Sequence, residues 1–362
     1  MSRPDKKSRV YFVRAEGTEA ANALGQKALA VLAPTGFLAC LAPEDFVALK
    51  IHFGEKGNAG HIKPAWIADL TSEIVRKAPR TFLTDSNTLY TGPRSNSVEH
   101  LRLAWSHGFT PEAVGVPIVI ADGLTGGDAG ETAGNAGRIS SAKIAGAILS
   151  ADALLALTHV TGHVQTGMGA ALKNLGMGCA SRAGKLDQHA VVHPRVNAKA
   201  CRDCGACLDH CPAGAIIKVE GGVAISGPKC TGCGECLVAC KFGAIRIRWD
   251  EDSVRIQEKV AEYALLVSRN FPGKAAYLNF LIRVTKDCDC MARNQPPIVP
   301  DIGLLASTDP VAIDRASADL VLRRSGGTDV FRQGYDIDWS RQLSHAEAIG
   351  LGSNRYELIA LK

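Results

Sequence analysis

Apolar residues fall in short runs separated by amphipathic stretches along most of the chain. Runs suited to buried strands lie at 10–15 (VYFVRA), 45–53 (DFVALKIHF), 81–85 (TFLTD), 115–123 (GVPIVIADG) and 152–160 (DALLALTHV). Near-continuous apolar runs of this length suit strands covered on both faces. Between them the spacing predicts helices near 18–32, 64–77, 95–107 and 140–151. Ser95 or Ser97 can cap the helix at 95–107, and Gly108 can end it. After residue 251 the alternation resumes, with a helix at 252–269, strands at 275–282 and 302–307, and a helix at 309–326. Pro310 sits in the first turn of that last helix and Gly326 just past its end. Strands alternating with helices predict an α/β fold with one mostly parallel, covered sheet. The simplest architecture is one α/β domain built from 1–195 and 251–362, with a small domain at 196–250 inserted into it. Insertions enter at exposed loops and need their two ends close together.

The inserted stretch holds eight of the chain's 12 cysteines. It reads CRDCGACLDHCPAGAI from Cys201 and CTGCGECLVACKFGAI from Cys230, a C-x2-C-x2-C-x3-C run made twice. Tight C-x-x-C spacing in a chain with no secretory leader pattern means metal rather than disulfides. Zinc sites use C-x2-C pairs held apart by longer loops, so triplets closed by x3-C favour iron–sulfur clusters. The doubled run resembles the bacterial-type two-cluster ferredoxins. That resemblance implies an α+β ferredoxin-like insert carrying two 4Fe–4S clusters. The fourth cysteine of each run would ligate the other cluster. Cys201, Cys204, Cys207 and Cys240 would hold one, and Cys230, Cys233, Cys236 and Cys211 the second. Gly205, Gly232 and Gly234 would let backbone N–H groups turn towards the sulfurs. Lys241 stands where the first run has Pro212 and leaves the ligands intact.

Composition narrows the classes. The chain has 362 residues, of which 46% are hydrophobic and 21% charged, enough for a large core. No run of about 18 apolar residues is present, so no membrane span is expected. The start, MSRPDKKSRV, has neither a secretory apolar core nor a twin-arginine pair, and a cytoplasmic location is expected. The formal charge of +5 invites a nucleic-acid reading. Eight ligating thiolates and two oxidised cluster cores bring it to about +1, and Lys and Arg are scattered, so nucleic acid is excluded as a partner. No G-x-G-x-x-G opens a helix after a strand, which argues against flavin or nicotinamide.

Four further segments carry a second resemblance. ALKIHFGEKGNAGHIKP (48–64), TDSNTLYTGPRSNSVEH (84–100), ALKNLGMGCASRAGK (171–185) and NFLIRVTKDCDC (279–290) look like the family catalogued as domain of unknown function 362, the uncharacterised Fe–S centre proteins. The resemblance runs nearly end to end, includes the insert, and implies an architecture without a reaction.

The residues themselves point to a site. Polar clusters follow the expected strands: His52 and Lys56, Asp85 to Thr88, Asp122, and His159 to His163. In open α/β sheets the ligand crevice lies at the carboxyl ends of the strands. The alternative is ordinary turn polarity and capping. Gly54, Gly57 and Gly60 after His52 would let a ligand approach the backbone. The spacing of His163, Lys173 and His189 is similar to that of the nickel-pincer lactate racemases. That similarity implies Lys173 as a cofactor anchor, His189 as a metal ligand and His163 as an acid/base. The other reading gives Lys173 and Asn174 a phosphate or carboxylate to bind at a glycine-rich turn. Cys288 and Cys290 in KDCDCM would share a face if extended, with Asp287 and Asp289 beside them. They could bind a further metal ion or cycle as a thiol pair. Arg182 and Lys185 would lower the pKa of Cys179, whereas Cys40 in FLACLAP suits a buried hydrophobe.

Two functions follow as expectations. In the first, the clusters pass electrons to a site in the α/β domain formed by His52, His163, Lys173, Cys179, His189, Cys288 and Cys290, making the chain an oxidoreductase acting on a small molecule. In the second, it is a non-catalytic electron-transfer or Fe–S carrier subunit. Either needs a redox partner protein: a ferredoxin, a flavodoxin or a reductase.

Overall fold

A computed structural model describes residues 7–90, 92–189, 194–230, 235–246 and 252–361. Its centre is an eight-stranded sheet. The strands are β1 (Ser8–Arg14), β2 (Phe46–Lys50), β3 (Arg80–Asp85), β4 (Ile118–Ile120), β5 (Ala153–His159), β6 (Ala275–Leu281), β7 (Gly303–Ser307) and β8 (Tyr356–Ala360). They lie side by side in the order β8, β1, β7, β6, β5, β2, β3, β4. All but β7 run the same way, since β7 alone pairs antiparallel, with β1 on one side and β6 on the other. The fold is therefore mixed α/β with a large, mostly parallel sheet. Strands from before and after the cysteine-rich segment are hydrogen-bonded neighbours: Ala275 to Phe280 of β6 pair with Leu154 to His159 of β5.

Helices cover both faces. On one, α1 (Ala21–Leu32), α2 (Ala68–Lys77) and α3 (Ser97–Ser106) pack over Val47, Leu49, Leu155, Leu278 and Phe280. On the other, α4 (Ala171–Gly176), α6 (Ser253–Ser268), α7 (Pro310–Arg324) and α8 (Ser340–Ala348) pack over Ala48, Leu154, Ala156, Tyr277 and Leu305. Between α4 and α6 in the chain lies α5 (Arg182–His189). Residues of opposite parity go to opposite faces, and every residue of β5 is buried. Asp309 caps α7 by accepting from the N–H groups of Val311 and Ala312, with Pro310 in its first turn.

Three local expectations need correction. The stretch at 140–151 is not one helix. Ser141–Ala145 is a strand paired with Ala129–Ala133, and only Gly146–Leu149 is helical. Ala142 and Ile144 are buried while Ser141 and Lys143 are half-buried, so period two wins over the helical spacing of Ile144 and Ile148. The cap of α3 is Asn96, whose side chain accepts from Glu99 N–H at 3.0 Å, rather than Ser95 or Ser97. The strand at 115–123 shrinks to β4 at the sheet edge, because Pro117 has no N–H for the ladder and contributes only its carbonyl, to Leu83 N–H.

The cysteine-rich segment leaves and returns at one place, where Arg195–Val196 pairs with Ile245–Arg246. Inside it are a hairpin, Ile216–Val219 with Gly222–Ile225, and short helices at Ala206–Asp209 and Glu235–Ala239. Cys207, Ile216, Val223, Cys236, Leu237 and Ile245 form a small apolar cluster that also takes in Leu89 and Leu186 from the larger body. Cys233, Gly232, Gly234 and the expected boundary at 250 lie outside the described residues.

Candidate functional site

A cavity of about 630 Å³ opens at the carboxyl edge of the parallel strands, where ligands of open α/β sheets bind. Strand ends supply its charged wall. Lys50, the last residue of β2, is buried and reaches Asp85 Oδ1 at 2.9 Å and Asn174 Oδ1 at 2.8 Å. Asp85 ends β3, with Arg94 and His100 each 3.6 Å from its other oxygen. Burial works against the Asp85 carboxylate, but Lys50, His100 and His52 overrule it and hold the carboxyl well below the usual range. Arg94 donates to Glu55 at 3.1 Å and to the hydroxyl of Tyr90, which itself donates to Glu55. Burial pushes the Tyr90 hydroxyl up to about 12.

His159 ends β5 and makes a different kind of contact. Its Nδ1 is 2.9 Å from Asp289 Oδ2 and its Nε2 is 3.0 Å from the carbonyl of Ile282. Both partners only accept, so both ring nitrogens carry protons and the ring is an imidazolium. Burial pushes its pKa down, yet Asp289 and the carbonyls win and raise it. Asp289 in turn is opposed by burial and held down to about 2 by His159.

His163 lies in a small ribbon, Thr161–His163 with Gly167–Gly169. Thr166 meets its Nδ1 with its backbone N–H at 3.1 Å and its hydroxyl at 2.9 Å. Its Nε2 has no protein partner among the described residues. Burial, then Lys173 and His189, hold His163 well below the ordinary histidine value, so it is neutral. A Cβ on Gly162 would stand 2.1 Å from the carbonyl oxygen of Lys286, so glycine is required for the ribbon to touch the Cys288 loop. Cys288 and Cys290 are joined as a disulfide, and their sulfurs and a ring nitrogen of His163 lie within 4.8 Å of one another. Two sulfurs and an imidazole suit a soft or borderline metal ion once the thiols are reduced. The flanking aspartates are not part of that set. Asp289 serves His159, and Asp287 is paired with Arg293.

Lys173 on α4 and Lys185 on α5 both edge the cavity. Asp314 accepts from the N–H groups of Ala171 and Leu172 at 2.8 Å and so fixes the start of α4. Lys185 donates to Ser86 Oγ at 2.5 Å and to the carbonyl of Asn87 at 2.7 Å. Burial, aided by other cations around the cavity, brings both lysines down to about 8. His189, at the end of α5, is pushed down to about 3 by burial and then by Lys173 and Lys185.

His52, His163, Lys173, His189, Cys288 and Cys290 thus share one cavity wall. Cys179 does not. It is buried in the core, and burial raises its thiol to about 12, against the expected lowering by Arg182 and Lys185. The glycines after His52 also have another use. A Cβ at Gly54 would meet the His61 and His107 rings, and one at Gly60 would meet Asp289, so side chains of the protein rather than a ligand fill that space. Asn87 and Asp122 bond each other, whereas Asp85, Ser86 and Thr88 line the cavity. Sequence reasoning placed His159 at the crevice and Asp289 beside the cysteines but not their pairing, and it missed Lys50 and Arg94 as site residues. His159 and Asp289, like Lys50 and Asn174, are distant in the chain, and for Lys50 the only local signal was a charged residue at the end of an apolar run.

In the cysteine-rich segment, Cys201, Cys204, Cys207 and Cys240 line one common void. Burial raises the Cys207 thiol, and Cys240, Cys201 and Cys204 add to that by their closeness. Backbone N–H groups of Ala215 and Ala244 donate to the sulfurs of Cys211 and Cys240, each at 3.2 Å. A Cβ on Gly222 would lie 2.9 Å from the Cys201 sulfur. Four cysteines round one void, with N–H donors to sulfur, fit an iron–sulfur group.

The whole is a mixed α/β protein with a charged cavity at the carboxyl edge of its sheet. It belongs to the family described as domain of unknown function (DUF362), whose model matches residues 47–319. None of the curated proteins matches the chain. Among solved structures, the lactate racemase apoprotein from Thermoanaerobacterium thermosaccharolyticum aligns at 14% identity and a TM-score of 0.41, over 90% of this chain and 58% of that one. A protein from Thermotoga maritima aligns at 10% identity and a TM-score of 0.40, over 85% of this chain and 59% of that one. The chain therefore spans less than two thirds of either structure's length. No helix among the described residues is long and apolar enough to cross a membrane.

Proposed function

We propose that this protein is an iron–sulfur oxidoreductase in which two 4Fe–4S clusters serve a substrate site in the large cavity. Cys201, Cys204, Cys207 and Cys240 would hold one cluster, and Cys211, Cys230, Cys233 and Cys236 the other. Bound clusters of this kind supply one-electron transfer. The observation that carries the reading is the position of Leu89. It lines the cavity and also packs in the apolar cluster with Cys207 and Cys236, so the cysteine-rich segment abuts the cavity wall directly. A carrier that only docked partners would have no use for a charged cavity at that junction.

The chain's own groups then have assignable roles. Cys288 and Cys290 form the redox pair, or with His163 the ligands of a further metal ion. His163, neutral and with Nε2 unpartnered, can exchange a proton with a bound molecule. The His159–Asp289 pair fixes the Cys288–Cys290 loop, because Asp289 lies between the two cysteines. Phe242, Ile217 and Val219 are exposed on the cysteine-rich segment and would be apolar contacts for a redox partner protein.

The test is anaerobic purification with iron, sulfide, zinc and nickel counted per chain, together with EPR of the reduced protein. About eight irons and low-potential cluster signals are expected. Four irons or fewer, or zinc in the cysteine-rich segment, would overturn the reading. Replacing Cys288 and Cys290 with serine should leave the iron count unchanged and remove any third metal.

A further inference from the structure

The charges round the cavity do not balance. Lys50 is matched by Asp85, Arg94 by Glu55, and the His159 imidazolium by Asp289. Two ammonium groups remain. Lys185 is held by a hydroxyl and a carbonyl, both neutral. Asp122 and Asp85 act on it only from beyond ion-pair distance: Asp122 accepts from the backbone and side-chain N–H groups of Asn87 through Oδ1, its Oδ2 makes no hydrogen bond, and Asp85 is paired with Lys50. Lys173 has no hydrogen bond and no ion pair among the described residues. Both cations line the cavity together with His189. An enclosed cation without a counter-charge is costly, and an anion arriving in the cavity would relieve that cost.

Among the polar groups the wall also carries apolar side chains: Leu89, Val164, Met177 and Met291 line the same space. A volume of about 630 Å³ lies within the range that holds organic ligands and far exceeds what a bare inorganic anion fills.

We infer that the cavity binds an organic acid with an apolar body, its anionic group met by Lys173 and Lys185 and its body lying against Leu89, Val164 and Met291. This deepens the oxidoreductase reading by giving the class of its substrate, but binding is measured without turnover. The anionic end would lie near His163 and the Cys288–Cys290 pair, which share that wall.

Calorimetry on the anaerobically purified full chain tests this, with 2-naphthoate, its neutral amide 2-naphthamide, and inorganic phosphate as probes. A hydrogen-bonded charge contact contributes about 1.5–3 kcal/mol, which is roughly tenfold to a hundredfold in affinity. 2-Naphthoate should bind tighter than 2-naphthamide by at least about tenfold. K173M should remove most of that difference and leave 2-naphthamide binding as it was, while K173R should keep most of it. Lys173 is the residue to change because Lys185 also holds Ser86 and Asn87, so its loss would disturb the loop itself. The thermal melt of each variant checks that it is folded. Equal binding of acid and amide, or unchanged 2-naphthoate binding in folded K173M, would overturn the inference. So would displacement of 2-naphthoate by equimolar phosphate, which would make the site one for inorganic anions. A low iron count would sink the redox reading and leave these affinities standing; a failure of 2-naphthoate binding would leave the iron count standing.

Discussion

Replacing Lys50 with Met tests the electrostatic frame of the site. Lys50 and Asp85 are 1% and 3% exposed, so the pair is removed from water and screened little by salt. In K50M, Asp85 keeps the Ser86 N–H at 2.9 Å, and Arg94 and His100 stay at 3.6 Å. Its Oδ2 has no hydrogen bond to begin with. Breaking a buried pair by deleting one partner costs about 3–5 kcal/mol, because the other charge is stranded. The remaining cations soften this, and the lost donor to Asn174 adds to it, so about 3 kcal/mol is expected. Urea unfolding at neutral pH, followed by circular dichroism on samples of matched iron content, measures it. The double variant K50M/D85N should recover about half of the loss, since no charge is then stranded. The acid limb gives a second check. The folded Asp85 pKa is depressed, so its contribution is present above the unfolded carboxylate value and is lost as pH falls. Without Lys50 that acid loss should be shallower. A K50M protein within about 1 kcal/mol of the parent, or a double variant as destabilised as the sum of the singles, would refute the reasoning.

Three other outcomes are expected. Gly162→Ala forces a Cβ against the Lys286 carbonyl and should lower stability by about 1–3 kcal/mol in urea; an unchanged midpoint would show that the ribbon and the Cys288 loop are not in contact. His159 has a raised pKa, so its stabilisation is complete below about 6.5 and fades as pH rises through its folded value, while Asp289, lowered to about 2, contributes above about 4 and fades in acid. Asp289→Asn should therefore flatten both limbs of the stability–pH curve, and an unaltered alkaline limb would contradict the imidazolium assignment. Cys179, whose thiol burial pushes up to about 12, should resist iodoacetamide at mildly alkaline pH in the folded protein and react once unfolded, as read by mass spectrometry of its peptide.

Seven strands of the sheet were legible because burial leaves an apolar run, as in the fully buried Ala153–His159, but β8 was not, since this edge strand has no fully buried residue. Ser141–Ala145 was not, because Ile144 and Ile148 are also one helical turn apart and its pairing partner has few apolar residues. The cavity was legible in outline, since chain direction alone sends the residues after each parallel strand to one edge. Its polar pairing was not. His159 and Asp289 are 130 residues apart in sequence and Lys50 and Asn174 124, distances over which composition says nothing about contact. Cys179 misled because Arg182 and Lys185 are near in sequence, while what sets its pKa is burial, which only packing decides.

The position of β1 has a consequence for how the protein is made. Both of its neighbours, β7 and β8, come from near the far end of the chain, at Gly303–Ser307 and Tyr356–Ala360. At synthesis rates of about 5–20 residues per second, β1 waits roughly 15 to 60 seconds for its first partner. During that interval Val10 and Val13, buried at the end, face the translating cell with a full row of unsatisfied backbone groups. A nascent chain with such an edge is a natural client for a holding chaperone, and shortening the wait by moving Ser8–Arg14 to the carboxyl end should raise the soluble yield.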